Sequence, residues 1–245
     1  MSKSGPIIVL VLILMILPPS MSTADIRIPS SRRSRQAVQT VKPMLERAFT
    51  AKSLTFGAPV FIRIFKQSME LEVWVKQKAR FTLFKTYPIC TYGSKGLGPK
   101  TRRGDGRAPE GFYYVTPQSM NPVSNFYLSF NLGYPNRYDR LHQRTGGMLM
   151  VHGSCVSIGC YAMTDQGIRE IYTIVEAAFR QGQPFFRTHI FPFRMSEDKM
   201  NEYRRSEWMS FWMNLKQGYD YFEKNGVPPN VVVKDKKYVF ERPAD

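Results

Sequence analysis

A histidine and a cysteine lie eight positions apart near the middle of the 245-residue chain, in a segment that could perform nucleophilic catalysis. Cys160 closes a Ser-x-Gly-Cys turn, and His152 ends the apolar run just before it. A thiol attacks well only as a thiolate, and a neighbouring base, cation or helix N-terminus lowers its pKa. His152 supplies a base, and the helix that we predict from Thr164 begins close behind Cys160. The segment therefore predicts Cys160 as a nucleophile, with His152 accepting and later returning its proton.

The small residues of the same segment predict how a reacting carbonyl is held. Gly153 and Gly159 let the backbone approach a substrate closely. We expect the N–H groups of Gly159 and Cys160 to stabilise the oxyanion. Ser157 is expected to fix the turn or to orient His152. The sequence names no third side chain for that orienting role, and a backbone carbonyl could fill it. Cysteine and histidine spacings match no zinc site, so we expect no metal and no other cofactor.

Short apolar runs separated by turn residues predict a β-rich region around this segment. Alternating apolar and polar residues predict a hairpin over 60–65 and 71–75. After the motif, Thr164 is a good N-cap for an amphipathic helix that Gly182 ends. The predicted fold class is therefore mixed, β-rich α+β. Further strands are expected over 80–87, 112–115, 128–132, 148–152 and 185–191.

The regions flanking the predicted catalytic domain, residues 58–191, have their own patterns. In residues 25–57, arginines at positions 27, 32, 33 and 35 predict a mobile basic linker, followed by a short helix over 37–52 that Pro43 interrupts. In residues 192–245, an apolar helical face is expected to end at Gly218, with a hairpin over 231–240. We expect this C-terminal extension to pack on the core, either as packing alone or also shaping a substrate groove.

The first 24 residues are typical of a secretory signal peptide. Lys3 supplies a charge, positions 7–17 form an apolar run, and Ser22-Thr23-Ala24 offers small residues for cleavage. The run is shorter than the roughly twenty residues of a membrane span, so an uncleaved anchor is the weaker alternative. We therefore expect export to the periplasm.

The chain has three cysteines, and an odd number in an exported protein indicates a free reactive thiol or a partner in another chain. If Cys160 is the free nucleophile, Cys90 and Cys155 remain and could pair with each other. A Cys155–Cys160 bond that blocks the nucleophile and three separate thiols are the alternatives.

The chain carries a formal charge of +16. Export argues against nucleic acid as the partner, and the glycine-rich loop 93–99 lacks the Gly-Lys-Ser/Thr ending of a P-loop, so we expect no nucleotide either. The charge could attract an anionic wall polymer or membrane headgroups, or it could only aid solubility.

The residues around Cys160 resemble a known family. Ser157-Ile158-Gly159-Cys160 with the upstream His152-Gly153 resembles the active-site signature of the YkuD-type L,D-transpeptidases, cysteine enzymes of the bacterial cell wall. The longer string from His152 to Thr164 is similar to the YafK branch, also called DpaA. Further matching segments are Gly96-Leu97-Gly98-Pro99-Lys100, Gly104-Asp105, Pro109-Glu110-Gly111-Phe112-Tyr113, Gly133-Tyr134-Pro135-Asn136, Tyr138-Asp139-Arg140, Phe193-Arg194-Met195 and Gly218-Tyr219-Asp220-Tyr221-Phe222-Glu223.

The resemblance implies a mixed β-sandwich core and acyl transfer at the L-centre carbonyl of diaminopimelate in peptidoglycan stem peptides. For this branch it implies an amidase that passes the acyl group to water and frees the Braun lipoprotein. The alternatives are an L,D-transpeptidase that forms crosslinks or attaches lipoprotein, and an inactive wall-binding module.

Two departures from the general family pattern bear on the choice between these activities. The eight-position spacing from His152 to Cys160 is short for the family, and such a loop could leave an acyl-enzyme open to water. Tyr161-Ala162 stands where many relatives have arginine or asparagine. Both departures weaken any carry-over of substrate contacts. Tyr134, Arg140 and His142 are candidates to bind substrate carboxylates, or are ordinary surface or packing residues.

Overall fold

The structure is a computed structural model, and it describes Met1 and residues 27–243. The predicted signal peptide lies outside the described residues except for Met1, so it stays a prediction. Within the described part, no helix combines the length and the apolarity needed to cross a membrane.

The described part of the chain contains five α-helices and eleven strands. The helices are α1 (Arg32–Ala51), α2 (Arg137–Leu141), α3 (Asp165–Arg180), α4 (Glu197–Glu202) and α5 (Met209–Asn225). The strands are β1 (Val60–Phe65), β2 (Glu70–Gln77), β3 (Arg80–Pro88), β4 (Gly111–Val115), β5 (Met120–Asn121), β6 (Ser129–Asn131), β7 (Met150–His152), β8 (Tyr161–Ala162), β9 (Phe186–Phe191), β10 (Asn230–Lys234) and β11 (Lys237–Glu241). The predicted mixed, β-rich α+β class is confirmed.

A five-stranded sheet forms the larger layer, in the order β3-β2-β1-β9-β4. Its β1 strand pairs antiparallel with β2, which confirms the predicted hairpin, and parallel with β9. Every residue of β1 is buried, because the sheet is covered on both faces. The β1 strand is therefore a central strand whose two faces are both covered by other parts of the protein.

The smaller sheet, in the order β5-β6-β7-β8, carries the candidate catalytic segment. Its β7 and β8 strands run parallel, with Val151 opposite Tyr161 and His152 opposite Ala162. His152 ends β7, and Cys160 immediately precedes β8. The parallel pairing therefore brings the two ends of the segment from His152 to Cys160 to neighbouring positions.

Helix α3 joins the two sheets by packing against β1 of the larger sheet and β6 and β7 of the smaller one. Thr164 caps it as predicted, accepting a hydrogen bond from the N–H of Gly167 at 2.9 Å. Its apolar residues enter the main core, and each contributes about 1.5–3 kcal/mol on burial. The fully or almost fully buried members include Ile168, Ile171, Tyr172, Ile174, Val175 and Phe179.

The prediction of a mobile linker is wrong from Arg32 onward, because α1 begins there. Ser31 caps the helix reciprocally: its hydroxyl accepts from the N–H of Ser34, and its own N–H donates to the Ser34 hydroxyl. Pro43 lies inside α1 without ending it. The helix gains enough from burying one face, which packs on α3, to offset the cost of an internal proline. That face consists of Ala37, Val41, Leu45 and Phe49.

The C-terminal extension covers the outer face of the five-stranded sheet. An aromatic-rich cluster joins Phe65, Phe112 and Phe191 of that sheet to Trp212 and Leu215 of α5. The predicted hairpin is present as β10 and β11, and it supplies Val233 and Tyr238 to the same cluster.

The expectation that Gly218 ends its helix is wrong. Helix α5 continues to Asn225 and ends at Gly226, which adopts the left-handed conformation with φ of 66°. A Cβ atom on Gly218 would lie 2.6 Å from the ring of Phe112. This glycine therefore serves close packing of the helix on the sheet.

Candidate active site

Cys160 rests against the backbone of β7 and keeps a free, partly exposed thiol. The N–H of Met150 donates to its sulfur at 3.4 Å, and the thiol lies 3.7 Å from the carbonyl oxygen of Met148 as a donor. The sulfur is therefore held in place by a main-chain N–H of the strand that ends in His152 and by a carbonyl of the segment just before that strand.

The His152 ring is held by its own strand end and by a neighbouring aromatic ring. Its Nδ1 lies 2.6 Å from the carbonyl oxygen of Gly153. Since a carbonyl only accepts, Nδ1 carries the proton and Nε2 is left as the base. Phe126 packs on the imidazole with a centroid distance of 4.6 Å. The Gly153 carbonyl thus fills the orienting role for which the sequence names no side chain.

Burial sets the protonation of both groups. It raises the pKa of the Cys160 thiol, although the Met150 N–H and the charge of Lys100 act in the opposite direction. It lowers the pKa of His152, although the Gly153 carbonyl opposes that shift. At neutral pH the resting thiol and the resting imidazole are therefore both neutral, which suits His152 to act as a general base during attack.

This protonation corrects one sequence-based expectation about the start of α3. We expected that helix N-terminus to lower the pKa of Cys160. The Asp165 carboxylate in the first turn instead accepts from the N–H of Ser154 at 2.8 Å, and the Thr164 hydroxyl accepts from the N–H of Gly167 at 2.9 Å. The groups that contact the Cys160 sulfur come from Met148 and Met150, not from this helix end.

Ser157 organises the turn in front of the nucleophile. Its hydroxyl donates to the carbonyl of Cys160 at 2.7 Å and accepts from the N–H of Gly159 at 3.0 Å. Ser157 therefore fixes the turn, which was one of its two expected roles. The Gly159 N–H is used inside the turn, which corrects its assignment as an oxyanion donor. The N–H of Cys160 remains the predicted donor.

Covalent and backbone links tie the loop between His152 and Cys160 to the rest of the molecule. Cys155 forms a disulfide with Cys90, across a sequence separation of 65 residues. The N–H of Cys155 also donates to the carbonyl of Met163 at 3.2 Å. The structure thus has the first of the three cysteine arrangements considered from the sequence, with Cys160 left free.

A cleft of about 780 Å³ opens beside Cys160. Two cationic residues line it: Lys100, which forms a 2.8 Å ion pair with Asp105, and Arg103. Ile158, which is 92% exposed, and Met148 add apolar surface. Since the charge of Lys100 is paired with Asp105, Arg103 is the cation of the cleft that is available to a carboxylate-bearing peptide. Its other lining residues are Gly104, Thr145, Gly146, Gly147, Leu149 and Gly159.

Sequence reasoning missed Lys100 and Arg103 as cleft residues. The available signal was the basic, glycine-rich segment 93–107, of which we considered only residues 93–99, as a nucleotide loop, and rejected that interpretation. Nothing in the local pattern shows that this loop lies beside Cys160, because the contact depends on the packing of distant strands.

The three candidate substrate contacts lie in different places. Tyr134 is buried, and its hydroxyl lies 3.4 and 3.3 Å from the carbonyl oxygens of Lys100 and Thr145, so its one proton is shared between them and it supports the cleft wall from behind. Arg140 lines a separate cavity of about 400 Å³ beside β10. His142 lies with Nε2 2.9 Å from the carbonyl of Lys236. The structure therefore does not bring Arg140 and His142 to the Cys160 cleft.

Comparison with known proteins defines the class to which this fold and site belong. The YkuD family, described as the L,D-transpeptidase catalytic domain, matches residues 59–184, which is slightly more than half of the chain. The chain belongs to the YkuD L,D-transpeptidase family. It is therefore a cysteine enzyme of peptidoglycan, with peptidoglycan peptides as substrates.

Individual relatives place the chain more finely within the family. It is 47% identical over 192 residues to YafK of Escherichia coli K12, a protein named as an L,D-transpeptidase, and the match covers 78% of each chain. YafK of Escherichia coli O157:H7 matches with the same identity and coverage.

Two solved structures are also similar. The helical cell shape determining protein Pgp2 from Campylobacter jejuni has 16% identity and a TM-score of 0.44, and the match covers 72% of this chain and 73% of Pgp2. Bd1075 of Bdellovibrio bacteriovorus has 21% identity and a TM-score of 0.43, with 69% and 61% covered. The family assignment rests on the sequence matches.

Proposed function

We propose that the protein is a periplasmic amidase that hydrolyses the bond between the L-centre carbonyl of diaminopimelate and a Braun-type lipoprotein. The observation that supports this proposal is the parallel pairing of β7 and β8, which brings the free Cys160 thiol, at a cleft with two cationic residues, to the strand that ends in the oriented His152. The cations suit a stem peptide, which carries free carboxylates.

The chemistry follows from the arrangement of the side chains. Nε2 of His152 takes the thiol proton as the sulfur bonds to the carbonyl carbon, and the Cys160 N–H stabilises the oxyanion. Collapse breaks the C–N bond, and the imidazolium returns the proton to the leaving amine of the lipoprotein. Water then attacks the thioester with His152 again as base. The products are a carboxylate on diaminopimelate and the regenerated thiol.

Hydrolysis is favoured over transpeptidation because the loop beside the nucleophile is short. Cys160 follows His152 by eight positions, and Ile158 at the tip of that loop is 92% exposed. Such a loop covers little of the thioester, so water reaches it as readily as an amine does. A transpeptidase must instead exclude water until its acceptor amine is bound.

Product analysis on intact sacculi tests the proposal. The mature protein is incubated with sacculi that carry bound lipoprotein, and Cys160→Ala is the matched control. Released lipoprotein without new crosslinks supports the amidase. New links between diaminopimelate residues would show a transpeptidase, and binding without any product would show an inactive wall-binding module.

The periplasmic location depends on the predicted signal peptide. Cell fractionation followed by N-terminal sequencing should give a periplasmic protein that begins at Asp25. A full-length protein retained in the membrane would instead support the uncleaved anchor.

A further inference from the structure

The cationic loop of the cleft, residues 96–107, is attached to the C-terminal extension. Gly98 lies against Trp208: a Cβ atom at position 98 would be 2.9 Å from Cδ1 of that indole, and the φ of Gly98 is 103°. The guanidinium of Arg107 lies 5.7 Å from the Trp208 ring centroid. The base of the loop is therefore shaped to fit a side chain that lies outside the family-matched residues 59–184.

A buried charge network makes a second attachment at the same point. Glu110 is fully buried, and its Oε1 accepts from the N–H of Gly98 at 2.8 Å and from Nζ of Lys66 at 2.9 Å. Its Oε2 accepts from the indole N–H of Trp212 at 2.8 Å. Lys66, also fully buried, donates to the carbonyl of Gly98 at 2.7 Å. Both polar groups of the Gly98 backbone are thus held by one ion pair, and Trp212 uses the remaining Glu110 oxygen.

The network lies next to both parts of the cleft. Gly98 precedes Lys100 by two residues and Arg103 by five. On the other side, the Tyr161 hydroxyl donates to the carbonyl of Pro109 at 2.7 Å, and Tyr161 follows the nucleophile directly. A shift at Glu110 therefore moves the cationic loop relative to Cys160.

We propose that Trp212 is a positioning residue for substrate binding. Through Glu110 and Gly98 it fixes the loop 96–107 so that Arg103 holds a carboxylate of the substrate beside Cys160, while Lys100 keeps its ion pair with Asp105 in the same loop. The extension is then part of the substrate-binding apparatus. The identity of the carboxylate, on the D-centre of diaminopimelate, rests on the proposed function.

Replacing Trp212 with Phe keeps an aromatic ring in the cluster and removes the N–H donor. One oxygen of Glu110 is then buried without a partner, which is costly for a charged group. The loop relaxes to satisfy that oxygen, so affinity for the carboxylate falls by about tenfold, equivalent to one strong hydrogen bond.

Binding is measured by calorimetry in the Cys160→Ala background, where no reaction consumes the ligand. The probes are two muropeptides with a lysine on the L-centre carbonyl of diaminopimelate, one with a free D-centre carboxylate and one with that group amidated. Trp212→Phe should weaken binding of the free form about tenfold and leave the amidated form within about twofold.

Trp74→Phe is the matched control. The Trp74 indole also donates to a buried glutamate of the same sheet, Glu72, at 2.8 Å. That glutamate pairs with Arg63 and Arg194, away from the lining of the cleft. Because Glu72 Oε2 keeps its bond from Arg63 at 2.9 Å, the control should lose less stability than Trp212→Phe, and it should keep its affinity for both muropeptides. Trp208→Leu, which loosens the loop at a partly exposed contact without leaving Glu110 unpaired, should repeat the selective loss and covers the case in which Trp212→Phe does not fold.

Three results would overturn the proposal: equal weakening for both muropeptides, no weakening in either loop-directed variant, or no binding of either muropeptide before Trp212 is changed. Turnover of the same muropeptides by the protein with Cys160 intact is read separately. If the muropeptides are not turned over, the proposed amidase function is contradicted, but the comparison of binding affinities remains valid.

Discussion

Two of the three histidines in the chain are buried to nearly the same degree and have opposite surroundings. His152 ends a strand, with Nδ1 bonded to the Gly153 carbonyl. His189 lies inside β9 among Phe61, Phe112 and Phe191, and its Nδ1 has no hydrogen-bond partner among the described residues. Burial lowers the pKa of both.

The comparison shows that burial alone does not make a histidine catalytic. Both rings are neutral at neutral pH, so charge state does not distinguish them. Two features distinguish His152. Its Nδ1 proton is bonded to the Gly153 carbonyl, which leaves Nε2 as the basic nitrogen, and the Cys160 thiol lies at the end of the neighbouring strand. His189 serves as a core aromatic ring.

The largest expected effect comes from replacing each histidine in turn. His152→Gln removes the base and should reduce lipoprotein release by about a thousandfold, within the range for general-base catalysis. His189→Phe keeps a planar ring in an aromatic cluster and should leave the release rate within about twofold, because no reacting group is touched. Initial rates of lipoprotein release from sacculi measure both effects. Equal rate losses in the two variants would contradict the assignment of different roles to the two histidines.

The pH dependence of turnover should follow His152 and Cys160. Because the pKa of His152 is lowered, kcat/KM should stay high at neutral pH and fall about tenfold per pH unit only below that lowered pKa. Because the pKa of Cys160 is raised, iodoacetamide should alkylate the thiol slowly at neutral pH and faster in alkaline solution. Rapid alkylation at neutral pH would instead show a preformed thiolate.

The pH dependence of stability should reveal His189. The folded state keeps this ring neutral, whereas the unfolded chain protonates it below the ordinary histidine pKa. The free energy of unfolding should therefore fall as the pH drops below that value, by about 1.4 kcal/mol per pH unit for each such histidine. His189→Phe should remove one histidine's share of that slope. Urea unfolding between neutral and mildly acidic pH measures it, and an unchanged slope would contradict the assignment.

The smallest effect is expected at Phe126, whose ring packs on His152. Phe126→Leu keeps an apolar side chain at this exposed position, so stability should change by about 0.5 kcal/mol or less. Turnover should fall about threefold to tenfold, because the imidazole loses the ring that restricts its orientation. A matched change of Phe112 beside His189 should lower stability with little effect on the rate.

Features set by local pattern were predictable from the sequence. The hairpin of β1 and β2, the Thr164 cap of α3 and the pair Cys160 and His152 all depend on residues close together in the chain. The same holds for the turn that Ser157 fixes.

Features set by distant packing were not predictable. The arginines at the start of α1 were taken for a linker because the residues that bury the helix face belong to α3. Gly218 was taken for a helix end because Phe112 lies more than a hundred positions away. Lys100 and Arg103 were missed for the same reason.

The aromatic outer face of the five-stranded sheet has a consequence for how this enzyme can evolve. Phe65, Phe112 and Phe191 meet water unless α5 and the hairpin cover them. A recombination event that transferred the chain up to the end of β9 but not α5 and the hairpin would produce a protein with an exposed aromatic face, prone to aggregate before it could be selected. The catalytic region and its tail are therefore expected to be inherited together as one unit.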